Sequence, residues 1–139
     1  MIILDTNVVS ELMRASPDPA VAAWAVNADT EAELHVTALT VAEIRYGIAR
    51  MPDGRRKQDV MAAANKLLTA FAQRVVPFDL PSAVRYGDLV ASRESSGRPI
   101  SVFDAQIAAV CQARSATLAT RNVKDFEGTG IPVIDPWSI

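Results

Sequence analysis

Apolar positions along the chain follow two rhythms. Short β-like runs occur at Ile2–Leu4, Leu34–Val36, Val75–Phe78, Thr117–Ala119 and Ile131–Ile134. Between them, apolar residues recur three or four apart, the spacing that lays a stripe along one face of a helix. Val8–Arg14 reads as a helix stopped before Pro17, and Pro19 suits the start of a second helix through Trp24. Val41, Ile44, Ile48 and Met51 stripe a third, which Asp53-Gly54 breaks. Val60, Ala64, Leu67, Leu68 and Phe71 stripe a fourth. Pro81 opens a fifth that reaches about Ser95, where the segment SSGRP reads as a loop. Phe103, Ile107, Val110 and Cys111 stripe a sixth. Strands alternating with helices predict an α/β sandwich on a mostly parallel sheet. In such folds, sites form beyond the carboxyl ends of the strands.

Composition narrows the function classes. With 139 residues, 50% apolar and 22% charged, and with neither repeat nor linker, the chain reads as one globular domain over 1–139. The longest uncharged apolar run, Ala20–Val26, is far short of the ~20 residues that span a bilayer. The apolar N-terminus meets Asp5 at once and lacks the basic region of a secretory signal, so a cytoplasmic location without membrane association is expected. Cys111 stands alone, which excludes an internal disulfide and a CxxC pair; within IAAVC it reads as a buried small hydrophobe. His35 is the single histidine and reads as a semi-buried strand residue, so multi-histidine zinc sites and Ser-His-Asp chemistry are excluded. No GxGxxG or GxxxxGK[ST] motif supports a nucleotide cradle. An aspartyl phosphotransferase starting from Asp5 lacks its second acid, since position 7 is Asn. A formal charge of −2 argues against holding nucleic acid by bulk positive charge.

Four acids occupy the same kind of place. Asp5 follows the first strand in ILDTN, Glu43 lies in TVAE after the second, Asp104 lies in SVFD at a helix start, and Asp125 follows the TLAT strand with Asn122 nearby. In a parallel sheet all these places fall on one edge. Clustered carboxylates repel and raise one another's pKa, and hard cations such as Mg²⁺ and Mn²⁺ prefer their oxygens. A bound ion of this kind activates water against a phosphodiester. The competing reading is structural. Thr40-x-x-Glu43 has the form of a capping box, and Ser101-x-x-Asp104 is its shorter-armed version. Acids in a first helical turn are favoured by the helix dipole alone. Asp125 fits a surface turn as well as a site. Asp5 resists the structural explanation, because an acid ending a buried strand is costly without a partner.

The stretches ILDTNVVSEL, LTVAEIRYGI, VPFD, ISVFDAQIAAV, ATRNVKDFEG and VIDPW together resemble the PIN-domain ribonucleases, specifically the VapC/FitB-like toxins of bacterial toxin–antitoxin pairs. The likeness covers nearly the whole chain. It implies a Rossmann-like α/β/α sandwich and a Mg²⁺- or Mn²⁺-dependent endoribonuclease leaving a 5′-phosphate and a 3′-hydroxyl. Residue by residue, it implies Asp5 and Asp104 as principal metal ligands. Glu43 then completes the acidic triad, binding metal or helping to orient and deprotonate water, and Thr6 and Asn7 support the site. Where some relatives place a fourth acid this chain has Asn122, with Asp125 one helical turn later, and either fills that role. The resemblance further implies a small cognate antitoxin whose tail crosses the acidic groove, an RNA substrate, and a homodimer.

Two other readings compete. A non-catalytic PIN-fold module that binds RNA or protein predicts a missing acid, yet the stations are filled. A metal-dependent phosphatase or DNA nuclease shares the carboxylate chemistry, and only the family likeness separates it from a ribonuclease. Eleven of the fourteen bases are Arg, with Arg45, Arg50, Arg55, Arg56 and Lys57 close together, a pattern suited either to a solvated helix face or to phosphate. Arg121, beside the TRN turn, is the stronger candidate for substrate phosphate. Tyr86, Leu89 and Val90 form an apolar patch suited to core packing or to an interface. With the four acids assigned to a site, the remaining charges carry a small basic excess, and the acidity no longer argues against RNA.

Overall fold

A computed structural model describes residues 1–139. Its strands are β1 (Ile2–Leu4), β2 (Leu34–Thr37), β3 (Val75–Val76), β4 (Thr117–Ala119) and β5 (Val133–Ile134). The helices are α1 (Thr6–Leu12), α2 (Pro19–Ala32), α3 (Ala38–Ala49), α4 (Arg55–Ala70), α5 (Leu80–Ser95) and α6 (Val102–Arg114). A 3-10 turn spans Val123–Phe126. All strand pairs are parallel, in the order β3-β2-β1-β4-β5. The chain therefore builds outward from β1 on one side and then crosses to the other. The carboxyl edge between β1 and β4 is the switch point where α/β folds place their sites.

Alternation along the short strands divides the core into two layers. Leu4, Leu34, Val36 and Ala119 face one side, where Val8, Val9, Val21, Ile44, Ile48 and Ala64 from α1–α4 cover them. Ile3, Val76 and Leu118 face the other, beneath Leu89 of α5 and Ala105, Ile107, Ala108 and Val110 of α6. Cys111 is fully buried in this second layer, as its apolar setting predicts. The α/β/α sandwich with a parallel central sheet is the predicted architecture.

Element ends differ from the pattern in informative ways. The second helix continues past Trp24 to Ala32 because Val21, Ala25 and Ala28 keep facing the core. β3 ends at Val76, where Pro77 has no N–H to give the ladder. Phe78 and Tyr86 then pack edge to face, 6.3 Å apart, against the second layer, and Leu89 is buried there. Most of the Tyr86–Val90 patch is thus core packing. His35 is half-buried, with Nδ1 3.0 Å from the Glu33 carbonyl. No helix is long and apolar enough to cross a membrane.

Candidate active site

Asp5 ends the central strand and is 5% exposed. Its backbone N–H donates to the Ala119 carbonyl across β1 and β4, and its own carbonyl accepts from Val8 and Val9 to start α1. Its carboxylate is held from the start of α1 and from the end of β4. Oδ1 accepts the Thr6 N–H at 2.8 Å, while Oδ2 accepts the Thr120 hydroxyl at 2.8 Å and the Asn7 amide at 3.3 Å. Thr120 is fully buried and is a hub, because its Oγ1 also accepts from the Asn7 amide and the Asn122 N–H. Asn7 Oδ1 in turn accepts the Arg121 N–H at 3.2 Å. The LDTN and TRN segments, distant in sequence, are thereby laced into one edge.

Glu43 reaches this edge through a hydroxyl relay. Thr6 Oγ1 donates to Glu43 Oε2 at 2.7 Å and lies 3.2 Å from Thr40 Oγ1, which lies 3.4 Å from Thr37 Oγ1. The capping-box reading of Thr40 and Glu43 is corrected here. Thr37 is the N-cap of α3, accepting the Thr40 N–H at 3.1 Å, and Thr40 is a buried residue of the helix. The strand runs one residue further than the pattern suggests, so the cap falls three residues earlier. Glu43 is then a turn too deep to close a capping box, and its carboxylate is left for the site. The second box stands in part, since Ser101 caps α6 by accepting the Asp104 N–H at 3.2 Å.

The electrostatics tie three helix starts together. Burial raises the pKa of Asp5, its bonds from Thr120 and Thr6 oppose the rise, and the charges of Asp104 and Glu43 add to it. Asp104 is raised in the same way, by burial first, with the charges of Asp125 and Glu43 adding and Ser101 and Arg93 opposing. The ion pairs of the molecule lie elsewhere, at Glu11, Glu33, Asp53, Asp29, Glu127 and Asp79. None of Asp5, Glu43, Asp104 and Asp125 has a cation within 4.0 Å. The donor set is carboxylate oxygen alone, which fits a hard divalent ion. No three acids close into a cage. Mg²⁺ does not need one, since it commonly takes one or two carboxylates and keeps its waters.

The remaining candidates lie at the rim. Asn122 and Asp125 are exposed, and the Asn122 side chain caps nothing in the 3-10 turn. The Arg121 guanidinium lies 5.0 Å over the Trp137 ring, exposed beside Asn7. A groove of about 370 Å³ leads from Thr6 and Glu43 past Met13, Tyr46, Arg50 and Met51. The larger concavity, about 430 Å³ between Arg85, Gln112 and Pro132, holds none of the four acids. Within the basic cluster, Arg45 bonds Asn65, Lys57 pairs with Asp53 and Arg50 covers Tyr46, which is a solvated helix surface. Burial pushes the Cys111 thiol up to about 12, which removes it as a nucleophile.

Sequence reasoning missed Thr37, Thr120 and Arg93. Thr120 stood inside the TRN motif, but nothing in sequence tells a buried hydroxyl from an exposed one. Arg93 is 6% exposed at the end of α5, and its polar type gave no sign of burial.

The PIN domain family profile matches residues 2–130. The chain is 44% identical over 138 residues to VapC ribonuclease Y4jK of Sinorhizobium fredii, covering 99% of this chain and 98% of that protein. It is 36% identical over 138 residues to toxin FitB of Neisseria gonorrhoeae, covering 99% of both. Among solved structures, FitAB bound to an IR36 DNA fragment superposes with a TM-score of 0.91 at 36% identity, over 100% of this chain and 97% of that one. Fold, acidic edge and relatives agree, and the chain belongs to the PIN-domain family, in its VapC/FitB-like toxin branch.

Proposed function

We propose that this chain is the toxin of a toxin–antitoxin pair and acts as a Mg²⁺- or Mn²⁺-dependent endoribonuclease. The ribonuclease name of its Sinorhizobium relative and the toxin name of FitB support the coarse reading. The observation that carries the metal reading is Asp5, a nearly buried carboxylate without a cation partner, repelled by Asp104 and Glu43. Asp5 and Asp104 hold the ion, with Glu43 third. When bound, a divalent cation lowers the pKa of a water and offsets charge on a phosphodiester.

The chain's own groups do the rest. Thr6 N–H, Thr120 and Asn7 fix the Asp5 carboxylate, so it does not reorganise as charge develops. Thr6 turns Glu43 so that Oε2 is occupied and Oε1 takes the proton of the attacking water. Water oxygen bonds to phosphorus, the P–O3′ bond breaks, the departing 3′ oxygen takes a proton from solvent water, and the products are a 5′-phosphate and a 3′-hydroxyl. Arg121 at the rim receives a backbone phosphate. The FitAB complex supports a cognate antitoxin as partner, and a homodimer goes with it.

RNA cleavage by the purified chain, with Mn²⁺ and with EDTA, tests this reading. Asp5→Asn and Asp104→Asn are expected to abolish cleavage and to remove the heat of Mn²⁺ binding in calorimetry, with the fold retained. Undiminished EDTA-sensitive cleavage by both variants would refute it.

A further inference from the structure

Arg93 is a buried guanidinium at the last turn of α5 with no carboxylate within 4.0 Å. It spends its donors on main-chain carbonyls instead. Nε donates to Arg98 O at 2.6 Å, and Nη1 donates to Asp125 O at 2.9 Å and to Glu127 O at 2.8 Å. Burying an arginine is expensive, and an apolar side chain of similar volume would fill the space at less cost. What arginine adds is a planar fork, anchored by Nε on Arg98 O, whose Nη1 sets two carbonyls of one turn at fixed places. That turn carries Asp125, whose charge Asp104 feels, and Arg93 is the cation that opposes the acids around Asp104. The downstream half of the turn has other anchors in buried Phe126, in the Thr129 hydroxyl bonded to Phe126 O, and in the Gln112 amide bonded to Thr129 O.

We infer that Arg93 is a positioning residue which, by gripping the carbonyls of Asp125 and Glu127, fixes Asp125 rather than Asn122 as the fourth acid of the site. This rests on the proposed reading that the acidic edge is the reaction centre. Arg93 acts from beneath the turn and touches neither the substrate nor the other acids.

A double-mutant cycle tests it. Arg93→Lys keeps the charge and loses the fork, and is expected to lower kcat for RNA about ten- to a hundredfold with KM little changed. In an Asp125→Asn background the same substitution is expected to have no further effect. In the metal-free protein, Arg93→Lys is expected to speed amide exchange at Asp125, Glu127 and Thr129, whose N–H groups close the turn, while exchange in α6 stays unchanged. Equal losses in the two backgrounds, or native kcat in Arg93→Lys, overturn the inference. If Arg93→Lys does not fold, Gly128→Ala decides. Gly128 holds φ 76°, and a Cβ there would sit 3.9 Å from Arg93 Cδ and from Arg98 Nη1, ordinary contact distances, so alanine strains the turn without displacing the guanidinium. Its effect is expected to vanish in the Asp125→Asn background, and additivity there overturns the inference. Asp5→Asn serves as the control: if it cleaves like the native chain, the reading of the site fails, whereas an inactive Asp5→Asn with an additive cycle defeats only the role of Arg93.

Discussion

Replacing Thr120 by Val changes one hydroxyl for a methyl at constant volume and tests the electrostatic design of the site. Thr120 Oγ1 donates to Asp5 Oδ2 at 2.8 Å and accepts from Asn7 and Asn122. A hydrogen bond to a charged group contributes about 1.5–3 kcal/mol, and each neutral one about 0.5–1.5 kcal/mol. The half-buried Asn7 and exposed Asn122 recover part of their loss from water. The expected cost is therefore about 2–4 kcal/mol at neutral pH, dominated by the bond to the buried carboxylate. Its pH dependence carries the sharper test. Asp5 already binds its proton more tightly folded than unfolded, so its ionisation costs stability as pH rises above the unfolded value. Thr120 opposes that rise, so Thr120→Val raises the folded pKa further. The variant then regains more stability than the native chain as pH falls from neutral through the folded pKa, and the gap between them narrows. Urea unfolding of both proteins in EDTA, at neutral pH and near pH 4, measures this. Equal stability at neutral pH, or a gap that widens on acidification, would refute the reasoning.

Other outcomes follow from the same structure. Asp104→Asn, which removes a charge disfavoured by burial and by its acidic neighbours, is expected to raise the melting temperature of the metal-free protein at neutral pH, with the gain fading as the native carboxyl protonates; a lower melting temperature at neutral pH contradicts it. Thr6→Val is expected to reduce kcat with a smaller effect on KM, because it unfixes Glu43 Oε2 and breaks the relay to Thr40, and steady-state RNA cleavage reads the split. Cys111 is expected to stay unmodified by a thiol reagent at about pH 8 until the chain unfolds, since its folded thiol is pushed up to about 12; labelling at the rate of a free thiol would contradict its burial. Leu118→Ala, at the centre of the second core layer, is expected to cost about 2–5 kcal/mol in urea unfolding.

Much was legible in the chain itself, because local physics fixes it. The apolar periods sort strands from helices, and their alternation dictates a parallel sheet with its functional edge at the strand ends. Asp5 announces itself because a carboxylate ending a buried strand is costly and needs a reason, whereas Glu43, Asp104 and Asp125 read equally well as helix-start or turn acids. Periodicity could not settle where elements stop. Thr37 rather than Thr40 caps α3 because β2 pairs with β3 through its final residue, a contact between distant segments. Nor does sequence distinguish Asn122 from Asp125, which lie in one short turn; the buried guanidinium of Arg93, bonded to the Asp125 and Glu127 carbonyls beneath that turn, became visible only in the fold. Thr120, Thr40 and Arg93 are polar residues whose burial depends on what packs over them. Residue type sets what a side chain can bond to, and only the meeting of β1, β4 and the helix starts decides which bonds are made and which charges are left without a partner.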